Sequence, residues 1–233
     1  SAIVQPLDFW LLLGGGLNAS FRPPGTPEGT SYIEYFYPGI ITLVLLFTAI
    51  FATISVVQDR REGFLQGVLI SPVPRWCLVL GQALGGTTLA FLEGLLFLCL
   101  APFTGVPLTF FSVLLTAGVM LLLSFGLTNL GLMIAWRMDS TQGFHAIMNL
   151  ILIPIWILSG AFFPTSGVPI WLGWAMKLNP LTYGVAALRQ CLYWSNANTV
   201  GNIPQLPLSL FITNLFCIVT YFGATRTAYG STI

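Results

Sequence analysis

The stretch YFYPGIITLVLLFTAIFATISVV, residues 35–57, contains no charged side chain. About 20 consecutive apolar residues are enough for an α-helix to cross the hydrocarbon core of a bilayer. Residues 18–34 before this stretch are rich in Pro and Gly, which is typical of a loop. Residues 58–75 after it form the most charged part of the chain. The sequence therefore predicts a membrane-spanning helix over 35–57.

The rest of the chain repeats this pattern of apolar runs and short polar connections. The chain is 56% hydrophobic and 6% charged, whereas soluble domains carry roughly 25% charged residues. We therefore predict an all-α membrane protein, a single transmembrane domain over residues 1–233. Its six transmembrane helices are expected at approximately 1–17, 35–57, 76–101, 110–136, 144–163 and 208–224. The first run is short and contains Pro6 and Asp8, so a helix lying flat in the membrane interface is the alternative there.

The basic residues fall mainly on one side of this predicted topology. The loops 58–75 and 137–143 and the C-terminal segment carry Arg60, Arg61, Arg75, Arg137 and Arg226, against Arg22, Lys177 and Arg189 on the other side. Cytoplasmic loops of membrane proteins carry an excess of Lys and Arg. We therefore expect the side with five basic residues to face the cytoplasm.

Several kinds of chemistry are missing from the sequence. The only lysine, Lys177, does not belong to a GxxxxGK[ST] motif, so no phosphate-binding loop of that type is present. The single histidine, His145, has no HExxH context, and the four cysteines are far apart, so no metal site is expected. The net charge of +1 gives no indication of nucleic-acid binding. We predict no catalytic residue and no cofactor in this chain.

The charged loop after the second predicted span also contains an amphipathic pattern. Phe64, Leu65, Val68 and Leu69 recur at helical spacing, and the segment Ser71–Pro74 ends the pattern. Such a helix could lie on the membrane surface between two spans, or it could dock a soluble cytoplasmic partner. The pattern alone does not choose between them.

Four groups of motifs resemble one family of membrane proteins. They are Gln5-Pro6-Leu7 with Gly16–Phe21; Pro38-Gly39-Ile40; Asp59-Arg60-Arg61-Glu62-Gly63-Phe64-Leu65 with Leu69–Val73, Arg75 and Leu80-Gly81-Gln82; and Leu158–Pro164 with Pro169, Trp171, Asn179–Tyr183 and Leu188-Arg189. In this order they resemble the type-2 ABC transporter permeases, the membrane subunits of ATP-binding-cassette exporters.

The resemblance implies six spans with both termini in the cytoplasm and a dimer of permeases, each copy with an ATPase subunit docked below it. ATP and Mg would bind to that partner ATPase. Residues 58–72 would form the coupling helix, and 164–188 would form short re-entrant helices in the outer leaflet. The coupling residues would be Asp59, Arg60, Arg61, Glu62, Gly63, Phe64, Leu65, Ser71 and Pro72. The expected location is a bacterial inner membrane, with an organelle of bacterial origin as the alternative.

Candidate residues for a substrate pathway are Glu93, Phe162, Phe163, Trp171, Tyr183 and Arg189. A charged residue inside a span usually faces the bundle interior or a wet cavity, so Glu93 is either structural or part of the pathway. Arg189 could extend its charge to the outer headgroups or contact an anionic substrate. The aromatic residues could bind an apolar cargo or simply face lipid.

The predicted function is that of the permease subunit of an ATP-driven exporter. Its substrate would be hydrophobic, lipid-like or lipid-linked: a drug, a lipid or a polysaccharide. The alternative is a stand-alone secondary transporter or channel in which Glu93 is the coupling residue. An enzyme acting on lipids is a third class, but the chain lacks a cluster of catalytic side chains at one membrane face. Membrane lipids are the remaining expected partner.

Overall fold

The computed structural model describes residues 8, 10–18, 32–63, 74–104, 106, 108–164, 168–194 and 203–230. Within these residues the structure is entirely helical and contains no strand. A π-helical turn, Trp10–Gly14, leads into the short helix α1, Gly15–Asn18. The larger helices are α2 (Tyr32–Phe51), α3 (Ile54–Arg61), α4 (Arg75–Leu98), α5 (Phe110–Ala135), α6 (Thr141–Trp156), α7 (Ile170–Leu178), α8 (Pro180–Leu192) and α9 (Leu206–Gly230).

Five stretches of the described chain are long and apolar enough to span a membrane. They are Tyr32–Arg61, which joins α2 and α3, then Arg75–Leu98, Phe110–Ala135, Thr141–Ala161 and Leu206–Gly230. They correspond to the five predicted spans that begin at 35, 76, 110, 144 and 208. The remaining predicted span, 1–17, lies partly outside the described residues. Its described part contributes Trp10, whose ring packs edge-on against Tyr37 and Phe97.

Helix α2 lies at the centre of the bundle and contacts α4, α5 and α8. Its side chains are buried around most of its circumference, including Phe36, Ile40 and Leu45. A helix that is apolar on all sides is stable only when it is surrounded by other helices or lipid. The uninterrupted apolar run at 35–57 therefore forms the core of this protein.

Helices α5 and α9 form the most extensive helix pair. Small residues allow close approach along their contacts. A Cβ atom at Gly126 would lie 2.9 Å from the Phe216 ring, and one at Gly223 would lie 2.7 Å from the Met133 sulfur. Small residues also allow close backbone approach in other membrane helix pairs. In lipid, van der Waals packing at such contacts stabilises the pair, because the hydrophobic effect does not drive helices together there.

Two arginines bring the charged segments to one end of the bundle. The Arg60 Nη1 donates to the Trp136 carbonyl at 2.8 Å, and the Arg75 Nη1 donates to the carbonyls of Ala228 and Tyr229, both at 2.9 Å. The end of α3, the start of α4, the connection from α5 to α6 and the end of α9 therefore share one end, as the charge pattern predicts. We call it the basic end.

Candidate functional site

The predicted motif Leu158–Pro164 forms a break at the end of helix α6. After Trp156 the chain makes a π-helical turn, Ile157–Ala161, in which Gly160 has a φ of 76°. This left-handed conformation is readily adopted by glycine and is strained for other residues. A helix that ends in this way leaves backbone carbonyls without their usual intrahelical donors.

Side chains from helices α2 and α8 donate to the carbonyl of Gly160. The Tyr35 hydroxyl reaches it at 3.1 Å, and the Arg189 Nη2 reaches it at 3.3 Å. Arg189 also donates to the Tyr35 carbonyl at 3.2 Å, and its guanidinium carbon lies 4.0 Å from the centroid of the Tyr35 ring. These contacts tie the broken end of α6 to two neighbouring helices.

Arg189 is only 4% exposed. The interpretation that it extends its charge to the outer headgroups is therefore wrong. Its two carbonyl partners and the Tyr35 ring replace water around one side of the guanidinium, which offsets part of the cost of burying the charge, while its Nε has no hydrogen-bond partner among the described residues. Within the described chain, Arg189 positions the break in α6.

Two further side chains satisfy backbone carbonyls at the same break. These bonds run from Asn179 Nδ2 to the Ile155 carbonyl at 2.7 Å and from the Tyr32 hydroxyl to the Phe162 carbonyl at 3.1 Å. The Thr182 hydroxyl lies 3.3 Å from the Leu158 carbonyl, but its closer acceptor is the Met176 carbonyl at 2.6 Å. Asn179 in addition accepts from the Leu181 amide and so caps helix α8. The motif Asn179–Tyr183 thus has a structural role that its sequence did not reveal.

Next to the break lies an apolar cavity of about 220 Å³. It is lined by Leu43, Phe47, Ile153, Trp156, Ile157, Phe162 and Phe163. The Trp156 indole N–H donates to the Gly39 carbonyl at 2.8 Å. Because this N–H is already hydrogen-bonded, the ring contributes only apolar surface to the cavity. The cavity offers apolar contact to a ligand and little opportunity for hydrogen bonding.

The structure brings only two of the six predicted pathway residues to this cavity, Phe162 and Phe163. Trp171 is 71% exposed on α7. The Tyr183 hydroxyl donates to the Lys177 carbonyl at 3.0 Å. The sequence did not single out Leu43, Phe47 or Ile153, because nothing distinguishes an apolar cavity wall from the rest of an apolar span.

Glu93 lies on α4, away from the cavity. The Thr48 hydroxyl of α2 donates to its Oε2, and both side chains are partly exposed. A polar group inside a span is costly unless it is hydrogen-bonded, so Thr48 provides a structural reason for tolerating this residue. The sequence analysis did not identify Thr48.

The first half of the predicted coupling segment ends helix α3. Gly63 has a φ of 77°, the left-handed conformation that commonly ends a helix. Arg60 is held by the Trp136 carbonyl and lies 3.6 Å from an Asp139 carboxylate oxygen. Arg61 and Glu62 are exposed. Phe64, Leu65, Ser71 and Pro72 lie outside the described residues.

Tyr193, at the end of α8, continues the network around Arg189. Its hydroxyl donates to the Glu34 carbonyl at 2.8 Å. Burial raises the pKa of this phenol above its usual value, the Glu34 charge raises it further, and Arg189 lowers it. Tyr193 is therefore a neutral donor at physiological pH.

Comparison with known proteins decides the family. The family model of the ABC-2 type transporter matches residues 2–193. This chain belongs to that family. The permease is similar to proteins named as transport permeases in Cyanophora paradoxa, with 27% identity over 92% of this chain and 74% of the relative, and in Porphyra purpurea, with 29% identity over 96% and 79%. It is also similar to a probable multidrug ABC transporter permease of Escherichia coli K12, with 24% identity over 72% of this chain and 45% of the relative.

The resemblance found in the motifs is thereby confirmed. ABC-2 permeases are in general non-catalytic transport subunits that work with an ABC ATPase. The structure adds the location of two elements in this permease. The described residues of the predicted coupling segment lie at the basic end, and the motif Leu158–Pro164 forms the helix break beside the apolar cavity.

Proposed function

We propose that this permease is the membrane subunit of an ATP-driven exporter that moves a hydrophobic, lipid-like or lipid-linked substrate out of the cytoplasm or the inner leaflet. We infer the substrate class from the apolar cavity beside the broken end of α6. Phe162 and Phe163 contribute aromatic surface to it, and Trp156 presents its ring with the nitrogen already hydrogen-bonded. Membership of the ABC-2 family supplies the transport activity.

The size of the cavity limits how much of a substrate it could enclose. Pockets that enclose a drug-sized ligand usually have volumes of about 300–1,000 Å³, and this cavity has about 220 Å³. It would hold an apolar chain or ring of a larger substrate, such as part of a drug, an acyl chain or the lipid carrier of a polysaccharide. The polar remainder of the substrate would stay outside the cavity.

Helices α2 and α3 provide a mechanical link between the two elements. Arg61 and Glu62 lie at the exposed end of this stretch, and Leu43 and Phe47 of the same stretch line the cavity. At 1.5 Å per residue, Phe47 is about 21 Å from Arg61 along the helix axis. When ATP closes two docked ATPases, a force on the coupling segment would rock this rigid stretch and change the shape of the cavity. ATP and Mg would stay on the ATPase.

The remaining expectations complete the proposed assembly. Short helices α7 and α8 precede the last span, and we propose that they are re-entrant in the outer leaflet, while residues 1–17 form a sixth span. Both termini and the basic end would face the cytoplasm of a bacterium, with the permease in its inner membrane. A second permease copy would pack against exposed apolar surface such as the face of α4 around Gly81 and Gly85, where a Cβ atom would meet nothing within 4 Å.

The test is ATP-dependent transport of a lipid-like dye by the permease reconstituted with its ATPase. The double variant Glu62→Ala/Phe64→Ala should insert normally but lose transport while the ATPase still hydrolyses ATP, because the coupling segment no longer engages the ATPase. Lys177→Ala, an exposed change away from the coupling segment, is the matched control and should transport normally. Unchanged transport by the double variant would contradict the coupling assignment.

A second function deserves a test because Glu93 places a carboxyl group inside a span. A stand-alone secondary transporter or channel would use Glu93 as its coupling residue and would need no ATPase. Transport by the permease alone, driven by a proton gradient and abolished in Glu93→Gln, would establish this alternative. We favour the exporter because Glu93 does not line the apolar cavity.

A further inference from the structure

A second cavity, of about 550 Å³, opens at the basic end of the bundle between α3, α5 and α9. Its walls combine basic, aromatic and small residues. They are Arg60, Met133, Trp136, Arg137, Gly223, Arg226, Thr227 and Gly230. Arg60 is also a predicted coupling residue, and the other seven residues have no part in the proposed transport mechanism.

The described residues of the cavity wall carry an excess of positive charge. Among the described residues, three guanidinium groups line the cavity and no acidic side chain does. Arg60 is engaged by the Trp136 carbonyl and by Asp139. The guanidinium groups of Arg137 and Arg226 belong to exposed residues and have no hydrogen bond or ion pair with any described residue. Two free guanidinium groups at one concave site attract an anion, and they favour phosphate because they can bind its oxygens in pairs.

The surface beside the cavity identifies the kind of phosphate compound. On α9, Val219 and Phe222 lie one helical turn before the cavity residues Gly223 and Arg226, on the same faces of the helix. Their side chains are 59% and 67% exposed, and both belong to a span. A basic pocket at the end of a span, continued by exposed apolar side chains towards the bilayer centre, has the shape of a phospholipid: phosphate in the pocket and acyl chains along the helix.

We infer that this cavity binds the headgroup of an anionic phospholipid, with its acyl chains along Val219 and Phe222. An anionic lipid is favoured over a zwitterionic one because the two free guanidinium groups would repel a second, cationic headgroup charge. Basic pockets between membrane helices bind anionic headgroups in other proteins. Free phosphate would use the arginines but gain nothing from the apolar surface. The bound lipid would hold the ends of α3, α5 and α9 together.

The experiment uses the delipidated permease in detergent, without an ATPase, so that its result is independent of the proposed function. Native mass spectrometry measures binding of phosphatidylglycerol, phosphatidylcholine and inorganic phosphate. The test variant is Arg137→Gln/Arg226→Gln. The matched control, Arg61→Gln/Lys177→Gln, removes the same charge from residues that do not line the cavity.

We expect phosphatidylglycerol to bind more tightly than phosphatidylcholine. The test variant should weaken phosphatidylglycerol binding roughly 30-fold, from the usual contribution of two basic residues near an anionic lipid, and the control should leave it unchanged.

Equal binding of the two lipids, or unchanged phosphatidylglycerol binding in Arg137→Gln/Arg226→Gln, would overturn the inference. Binding of inorganic phosphate with no preference for phosphatidylglycerol would also overturn it, because the ligand would then be a soluble anion.

Discussion

The shared carbonyl of Gly160 leads to a quantitative prediction about the broken end of α6. Tyr35→Phe removes one of its two donors and keeps the aromatic ring beneath Arg189. Losing one neutral hydrogen bond costs about 0.5–1.5 kcal/mol. Arg189→Gln removes the other donor, a second bond to the Tyr35 carbonyl and the contact with the Tyr35 ring. We expect Arg189→Gln to lower the free energy of unfolding by about 3 kcal/mol. Charged hydrogen bonds and desolvated cation–π contacts each contribute about 2 kcal/mol. Part of this loss is offset because a charged guanidinium no longer has to be buried.

The double variant is expected to lose more than the sum of the single changes. Each single variant leaves the buried Gly160 carbonyl with one donor, whereas the double variant leaves it with none. An unsatisfied buried polar group costs about 1–3 kcal/mol, so the coupling energy between the two changes should be about 1–2 kcal/mol.

The assay is equilibrium unfolding of the permease and the three variants in mixed detergent micelles. The matched control pairs Arg189→Gln with Tyr183→Phe. The Tyr183 hydroxyl also donates to a backbone carbonyl, but to that of Lys177, which Arg189 does not share. The control pair should be additive. Additivity within about 0.5 kcal/mol for the Tyr35 pair as well would refute the shared-acceptor reasoning.

Three further predictions concern the break, the charge inside the span and the cavity. Gly160→Ala should destabilise the permease by about 1–2 kcal/mol because alanine is strained at positive φ, whereas Gly81→Ala, in open space on α4, should be neutral or stabilising in the same unfolding assay. Glu93→Gln should leave ATP-driven transport largely intact because the amide oxygen can still accept from Thr48, and complete loss of transport would assign Glu93 to the pathway. Ile153→Trp, which adds an indole ring to the cavity wall, should lower the rate of dye export several-fold, whereas Ile147→Trp on the same helix, away from the cavity, should not; equal rates in the two variants would remove the cavity from the transport route.

The membrane spans could be predicted because charge and hydropathy alone decide them. The predicted span 76–101 corresponds to α4 at Arg75–Leu98, and 110–136 corresponds to α5 at Phe110–Ala135. The largest difference is at α9, which continues to Gly230 beyond the predicted end at 224. The prediction stopped before Arg226, but backbone hydrogen bonding continues through a charged residue at the end of a span, since its side chain can reach the polar interface.

The roles of the motif Leu158–Pro164 and of Arg189 could not be predicted, because they depend on contacts between distant parts of the chain. Arg189 was considered for a role at the headgroups or with the substrate, and its partners Tyr35 and Gly160 belong to other helices. Only the path of the backbone at the break shows which carbonyls lack their intrahelical hydrogen-bond donors. The same holds for Glu93, whose partner Thr48 is an ordinary hydroxyl residue within an apolar span.

The candidate site could be predicted in part. Phe162 and Phe163 do line the apolar cavity, because the break in α6 turns them towards α2. The other walls come from Leu43, Phe47 and Ile153, whose residue types are the same as those of any lipid-facing position. A cavity arises from the way helices pack against one another. The sequence therefore pointed to two aromatic residues of the cavity wall but could not show that a cavity is present.

The most direct test of the exporter account is isolation of the tagged permease from its native membrane in a gentle detergent, followed by mass spectrometry of the proteins bound to it. The account predicts a stoichiometric ATP-binding-cassette subunit that is lost from the complex in Glu62→Ala/Phe64→Ala. A homo-oligomer of the permease without any ATPase, which transports after reconstitution alone, would contradict it.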